Sequence, residues 1–361
     1  MPSLLPTDAM RRLGLTLPVV QGPFGGGLST ARLAATVSNL GGLGSYGAHS
    51  LPPERIIEVA QKIRALSAGP FALNLWVSDH DAGGLNPSPE DFERAWRVFE
   101  PWFRELGVAK PEPQPRYHPA FEQQIEALIE ARPPVFSFVF GIPEARILDA
   151  CRARGIVTLG AATSIAEAQA LEAAGVDAIV ATGFEAGGHR PSFLARAEES
   201  LMGTFALVQL VSTRVRIPVI AAGGVADARG IRAALTLGAQ AAQIGTAFLA
   251  CEESGTSDAH RAALFGDGAT QTTLTRAFSG RLARGLRNRW TELWSTRTDD
   301  LAPFPLQGWF AAQLRGAALA AGRTDLISLW SGQIAPNLRH RNASELMASL
   351  RDELSTPALA A

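Results

Sequence analysis

The chain has 361 residues, 47% of them hydrophobic, and 33 Lys+Arg against 34 Asp+Glu give a formal net charge of -1. That length suits one large α/β barrel with additions, or two ordinary domains. The charge balance excludes the basic footprint that nucleic-acid binding needs, and no apolar run approaches the roughly 20 residues that span a bilayer.

Met1 to Val20 carries Arg11 and Arg12 but is broken by Pro18, with Gly22 and Pro23 just beyond, which does not match a signal peptide. Short apolar runs without alternation then predict strands buried on both faces. They fall at Val19–Gln21, Leu43–Ser45, Phe71–Leu75, Val135–Val139, Ile156–Leu159, Ala178–Ala181, Val219–Ala222 and Ala241–Ile244. Helical patterns lie between most of them. Thr30–Leu40 opens on Ser29 or Thr30 as a cap, and Pro53–Leu66 has Pro in its first turn. Ser164–Ala174 reads as a capping box of Ser164 with Glu167, and Asp227–Leu237 runs from an Asp cap to Gly238. Cys151 and Cys251 are far apart and form no metal or disulfide pattern, which fits a reducing, cytoplasmic setting.

This rhythm predicts a TIM-type (β/α)8 barrel over residues 1–252. A stretch from Ser78 to Pro134, with a helix at Pro89–Leu106 and a Pro-rich tract, is too long for a plain connection and reads as a lid or rim. Residues 253–361 form a mainly helical extension expected to pack on the barrel, with helices at Leu306–Ala321 and Ser344–Leu354. An open doubly wound sheet is the alternative. Its only GxGxxG, Gly42 to Gly47, overlaps a strand and leads into Leu51-Pro52-Pro53 rather than a helix.

Function in such a barrel sits in the loops after the strands. After the first strand, Gln21-Gly22-Pro23-Phe24-Gly25-Gly26-Gly27 lets backbone approach a flat ligand. Asn74 interrupts an apolar strand and brings a donor and an acceptor. After the sixth strand come Thr182-Gly183-Phe184-Glu185-Ala186-Gly187-Gly188-His189-Arg190, and His189 is the candidate catalytic group. Glu185 offers a second acid or base but reads more simply as a solvated or helix-capping carboxylate, and Arg190 either attracts an anion or faces water. The remaining histidines, His49, His80, His118, His260 and His340, are expected at the surface. After the last two strands, Gly223, Gly224, Gln243, Gly245 and Thr246 suit a phosphate site of backbone N–H groups. FMN fits the whole pattern; a sugar phosphate or a nucleotide fits these residues nearly as well.

These segments, together with Val37–Gly44, Gly175–Ala178 and Arg276–Arg281, resemble the nitronate monooxygenase family, from about Leu15 to Arg339. The resemblance implies FMN without a metal, His189 as the active-site histidine, and flavin contacts at Gly22, Phe24, Asn74, Gly183, Gly188, Gly223, Gly224, Gly245 and Thr246. Thr182-Gly183 replaces the family's frequent Gln-Gly, and Pro191 replaces a frequent Gly. Both departures fall at the substrate pocket and its contact with the flavin ring edge. The implied reaction is oxidation of an anionic alkyl nitronate by O₂ to a carbonyl compound and nitrite. In it His189 either removes a proton or, protonated, holds the anion, while Phe24 and Trp76 wall the pocket. The rival is an FMN-dependent NAD(P)H reductase of enoyl-ACP or quinone type. The expected partners are small molecules and a second copy in a homodimer, with neither nucleic acid nor membrane.

Overall fold

The computed structural model describes residues 6–356. The outermost parts of the two predicted segments, residues 1–5 and 357–361, lie outside the described residues. The strands are β1 (Val19–Gln21), β2 (Gly44–Gly47), β3 (Phe71–Trp76), β4 (Val135–Val139), β5 (Val157–Ala162), β6 (Ala178–Thr182), β7 (Gly188–His189), β8 (Val219–Ala222), β9 (Ala241–Ile244), β10 (Thr272–Thr275) and β11 (Ala283–Leu286). Eight of them form one parallel sheet in the order β1-β9-β8-β6-β5-β4-β3-β2. A parallel bridge between Val20 and Leu43 joins its two ends, so the sheet closes into a TIM-type barrel with helices between the strands.

The barrel forms because its strands are apolar on both faces. Every residue of β3 and β6 is buried. Val20, Leu43, Ala72, Val135, Leu159, Val180 and Ile220 fill the interior, and Ala9, Met10 and Leu13 of helix Asp8–Leu13 join that same cluster. Local signals set the surrounding helices. Thr30 caps Ala31–Asn39, Ser164 caps Ile165–Ala173 and Asp227 caps Ala228–Thr236 through their side chains. Glu167 does not complete a capping box. It is fully buried and reaches Thr163 N and Oγ1 on one side and the N–H groups of Phe193 and Leu194 on the other. The Gly42–Gly47 match serves packing. A Cβ at Gly44 would lie 1.9 Å from the Ala34 carbonyl, and one at Gly47 would lie 2.4 Å from that of Phe24.

The Ser78–Pro134 stretch holds two helices. Phe121–Ala131 packs against Pro53–Leu66 and is the barrel helix between β3 and β4, which the sequence reading absorbed into the insertion. Pro89–Glu105 turns away and shares an aromatic core with Leu306–Ala320 through Phe92, Phe99, Phe103 and Phe310. The chain after residue 252 is not only helical, because β10 and β11 pair antiparallel and β11 pairs with β7. Among the described residues no helix is long and apolar enough to cross a membrane.

Candidate functional site

A cavity of about 470 Å³ opens at the C-terminal ends of the barrel strands. The loop after β1 contributes Gly22, Pro23 and Phe24, with Gly22 N donating to the Ile244 carbonyl at 2.8 Å. Asn74 lies in the wall, buried, with Nδ2 donating to Ser137 Oγ at 3.0 Å. From β6 onward come Thr182, Gly187, Gly188 and His189, and Pro191 lines the same space. Gly183 alone of the predicted residues stands behind the wall. A Cβ there would come within 1.9 Å of Thr204 Oγ1, because the Glu185 carboxylate caps helix Thr204–Ser212 by accepting from Thr204 N and Oγ1.

Gly223, Gly224, Gln243, Gly245 and Thr246 line the opposite side. Among the described residues the N–H groups of Gly224, Gly245 and Thr246 have no protein acceptor. A Cβ at Gly245 or Gly188 would meet nothing within 4 Å. Open glycine backbone carrying unused N–H donors is the donor set that a phosphate and a flat ring require. Gly332 N donates to Thr246 Oγ1 at 2.9 Å and Gln333 N to the Glu185 carbonyl at 3.0 Å, so a C-terminal segment seals this side.

His189 is held by pairing, not by a loop. Its residue faces Ala283 of β11 in an antiparallel register, and Nε2 lies 2.8 Å from Ser279 Oγ. Trp76 meets the ring at 4.8 Å, Trp330 at 5.2 Å and Phe140 at 6.3 Å. Enclosure by these groups, with the Arg281 cation nearby, pushes its pKa down to about 3, so the imidazole is neutral at physiological pH. Arg281 stays charged among its partners: its guanidinium is clamped over Phe304 and Phe140 and bonds Asp81 and Ser78.

The surface assignment of the other histidines fails for three of them. His49 lies flat on Trp76, His118 stacks beside it, and both line the cavity; His260 is 2% exposed behind it. His80 and His340 are partly exposed. Arg190 is turned inward, its guanidinium donating to the carbonyls of Thr182 at 2.7 Å and Ser200 at 2.6 Å. The sequence reading also missed Phe140, which directly follows β4, and Ser279, Phe304, Arg315 and Trp330, which reach the cavity from the C-terminal region and carry no strand-end signature.

The family profile described as nitronate monooxygenase matches residues 8–353. The nitronate monooxygenase of Pseudomonas aeruginosa is 42% identical over 354 residues, covering 96% of this chain and 99% of that one. The protein of that name from Paraburkholderia phytofirmans is 40% identical over 346 residues, covering 95% and 93%. Among solved structures, a nitroalkane oxidase from Streptomyces ansochromogenes aligns with a TM-score of 0.86 at 34% identity, over 96% of this chain and 98% of that one. FabK from Thermotoga maritima aligns at 0.74 and 27% identity, over 97% and 96%.

Proposed function

The chain belongs to the nitronate monooxygenase family, and from that premise we propose that it oxidises alkyl nitronates, and less readily nitroalkanes, with bound FMN and O₂, releasing a carbonyl compound and nitrite. One observation carries this reading: a single cavity joins unused backbone donors at the ends of β8 and β9 to a neutral imidazole on β7. Gly223, Gly224, Gly245 and Thr246 would hold the FMN phosphate and Gly22, Pro23, Phe24 and Gly188 its ring, and the bound flavin supplies two-electron redox chemistry with O₂ as acceptor.

The protein's own part is binding and orientation. One nitrogen of His189 is engaged by Ser279. With the Ser279 hydroxyl donating to Nε2, Nδ1 keeps the ring proton and would donate it to a substrate oxygen. A group with a pKa of about 3 is a weak base at neutral pH. It serves a nitronate, which arrives already deprotonated, better than a nitroalkane that must lose a proton. Trp76, Phe140 and Trp330 around the ring exclude water and strengthen any polar contact made there.

The test is anaerobic reduction of the FMN-loaded protein. Propyl-2-nitronate bleaches the flavin, whereas NADH and NADPH leave it oxidised. Rapid bleaching by a nicotinamide nucleotide and none by nitronate would overturn the reading in favour of a reductase.

A further inference from the structure

We propose that His49 and His118 form a second polar pole of this cavity, one that takes a hydrogen-bond donor, a hydroxyl or amino group, carried by the substrate away from its nitro carbon. The inference rests on the reading of the cavity as a nitronate site.

Three imidazoles surround one indole. His49 lies face to face with Trp76 at 3.9 Å and 9°, His118 stacks on His49 at 5.8 Å, and His189 meets Trp76 edge-on at 4.8 Å. The position of His49 is built into the fold. A Cβ at Gly25 would fall 1.9 Å from its Cε1, so that glycine makes room for the ring. His118 Nδ1 is 3.0 Å from the Pro119 carbonyl, which can only accept, so Nδ1 carries the proton. In the neutral ring Nε2 is then a bare lone pair. It is buried and has no partner; His49 Nδ1 is likewise buried without one and accepts in the tautomer whose proton sits on Nε2.

Buried polar atoms are normally paired, and two orphans on stacked rings in the wall of a ligand cavity point to a partner that arrives with the ligand. Burial keeps both rings neutral, His118 near 4 and His49 well below its ordinary value. The neighbouring wall is mainly apolar, with Phe140, Phe304, Ile327 and Trp330, beside the hydroxyls of Ser50 and Tyr117. A lone pair in such a wall accepts from O–H or N–H and repels a carboxylate oxygen. The chemistry therefore selects a neutral donor group on the substrate.

The experiment compares isosteric pairs on FMN-loaded protein. Binding is read by flavin absorbance titration with two non-oxidisable carboxylate mimics, 4-hydroxybutanoate and pentanoate. Turnover is read as kcat/KM for the nitronates of 3-nitropropan-1-ol and 1-nitrobutane. The hydroxyl member of each pair is favoured about tenfold, the scale of one hydrogen bond that also relieves an unpaired acceptor. In His118→Phe and His49→Phe, which keep the stack and remove the nitrogens, both preferences fall to about one. His118→Asn, which restores an acceptor, regains part of the preference.

Equal use of the two members by the unsubstituted protein, or a preference that survives both Phe variants, overturns the proposal. If neither nitronate is turned over while the binding preference stands, the oxidation reading fails and the donor-binding pole remains. Turnover without preference sinks the pole alone.

Discussion

His260 tests the electrostatics of the enclosed histidines without touching the cavity. It sits on helix Asp258–Phe265, 2% exposed, with Nε2 3.0 Å from the Trp330 carbonyl. Burial pushes its pKa down to about 4, with Arg315 and Arg261 adding to the effect against the opposing hydrogen bond. In the unfolded chain the same imidazole titrates near 6.5. Between those values the unfolded state binds more protons than the native state, so stability rises with pH and is lost as pH falls from about 6.5 towards 4. From pH 7 to pH 5 the loss for this one group is about 2 kcal/mol. Urea unfolding of the protein and of His260→Gln at both pH values reads it directly. Gln keeps an N–H for Trp330 and does not titrate, and His189, His118 and the carboxylates contribute equally to both proteins. The stability gap between them should shift by about 2 kcal/mol in favour of the variant at pH 5. An equal gap at the two pH values would refute a buried, neutral His260.

Gly245→Val places a branched side chain in the open space beside the unused N–H groups without forcing the backbone, since Gly245 already has φ -99. FMN affinity should fall at least about a hundredfold with little loss of folding, and a retained visible spectrum after dialysis would rule out this phosphate cradle. His189→Asn should lower kcat/KM for nitronate by about a hundredfold or more while FMN remains bound, measured by oxygen uptake; unchanged turnover would remove the imidazole from the reaction. Gly183→Ala drives a methyl into Thr204 and Glu185 and should cost about 1–3 kcal/mol in denaturant unfolding. A neutral result there would mean that the Glu185 cap yields freely.

The barrel was legible because its signals are local. A strand covered on both faces must be apolar throughout, and a backbone that approaches a ligand must be glycine, so Val219–Ala222 and Gly223-Gly224 announce themselves. Caps such as Ser164 and Asp227 read equally well. Glu167 did not, because its partners Phe193 and Leu194 are distant in sequence, and helix Phe121–Ala131 lay hidden in a stretch too long to parse as one connection. His118 stands between Tyr117 and Pro119 in a segment that looks like an ordinary surface loop, whereas His49 follows β2 by two residues, a strand-end setting that the sequence reading passed over. The missing Cβ of Gly25 and the face of Trp76 then hold its ring at the cavity, and neither is visible from its neighbours. The division has a physical consequence. The glycine loops after β1, β8 and β9 offer mostly backbone, which binds a common cofactor and discriminates little. Phe304 and Trp330 reach the cavity from the C-terminal region and His118 from the insertion. With His49 and Phe140 from the loops after β2 and β4, these segments supply the side chains that distinguish one substrate from another, so changes of specificity within this architecture should concentrate there and leave the glycine loops untouched.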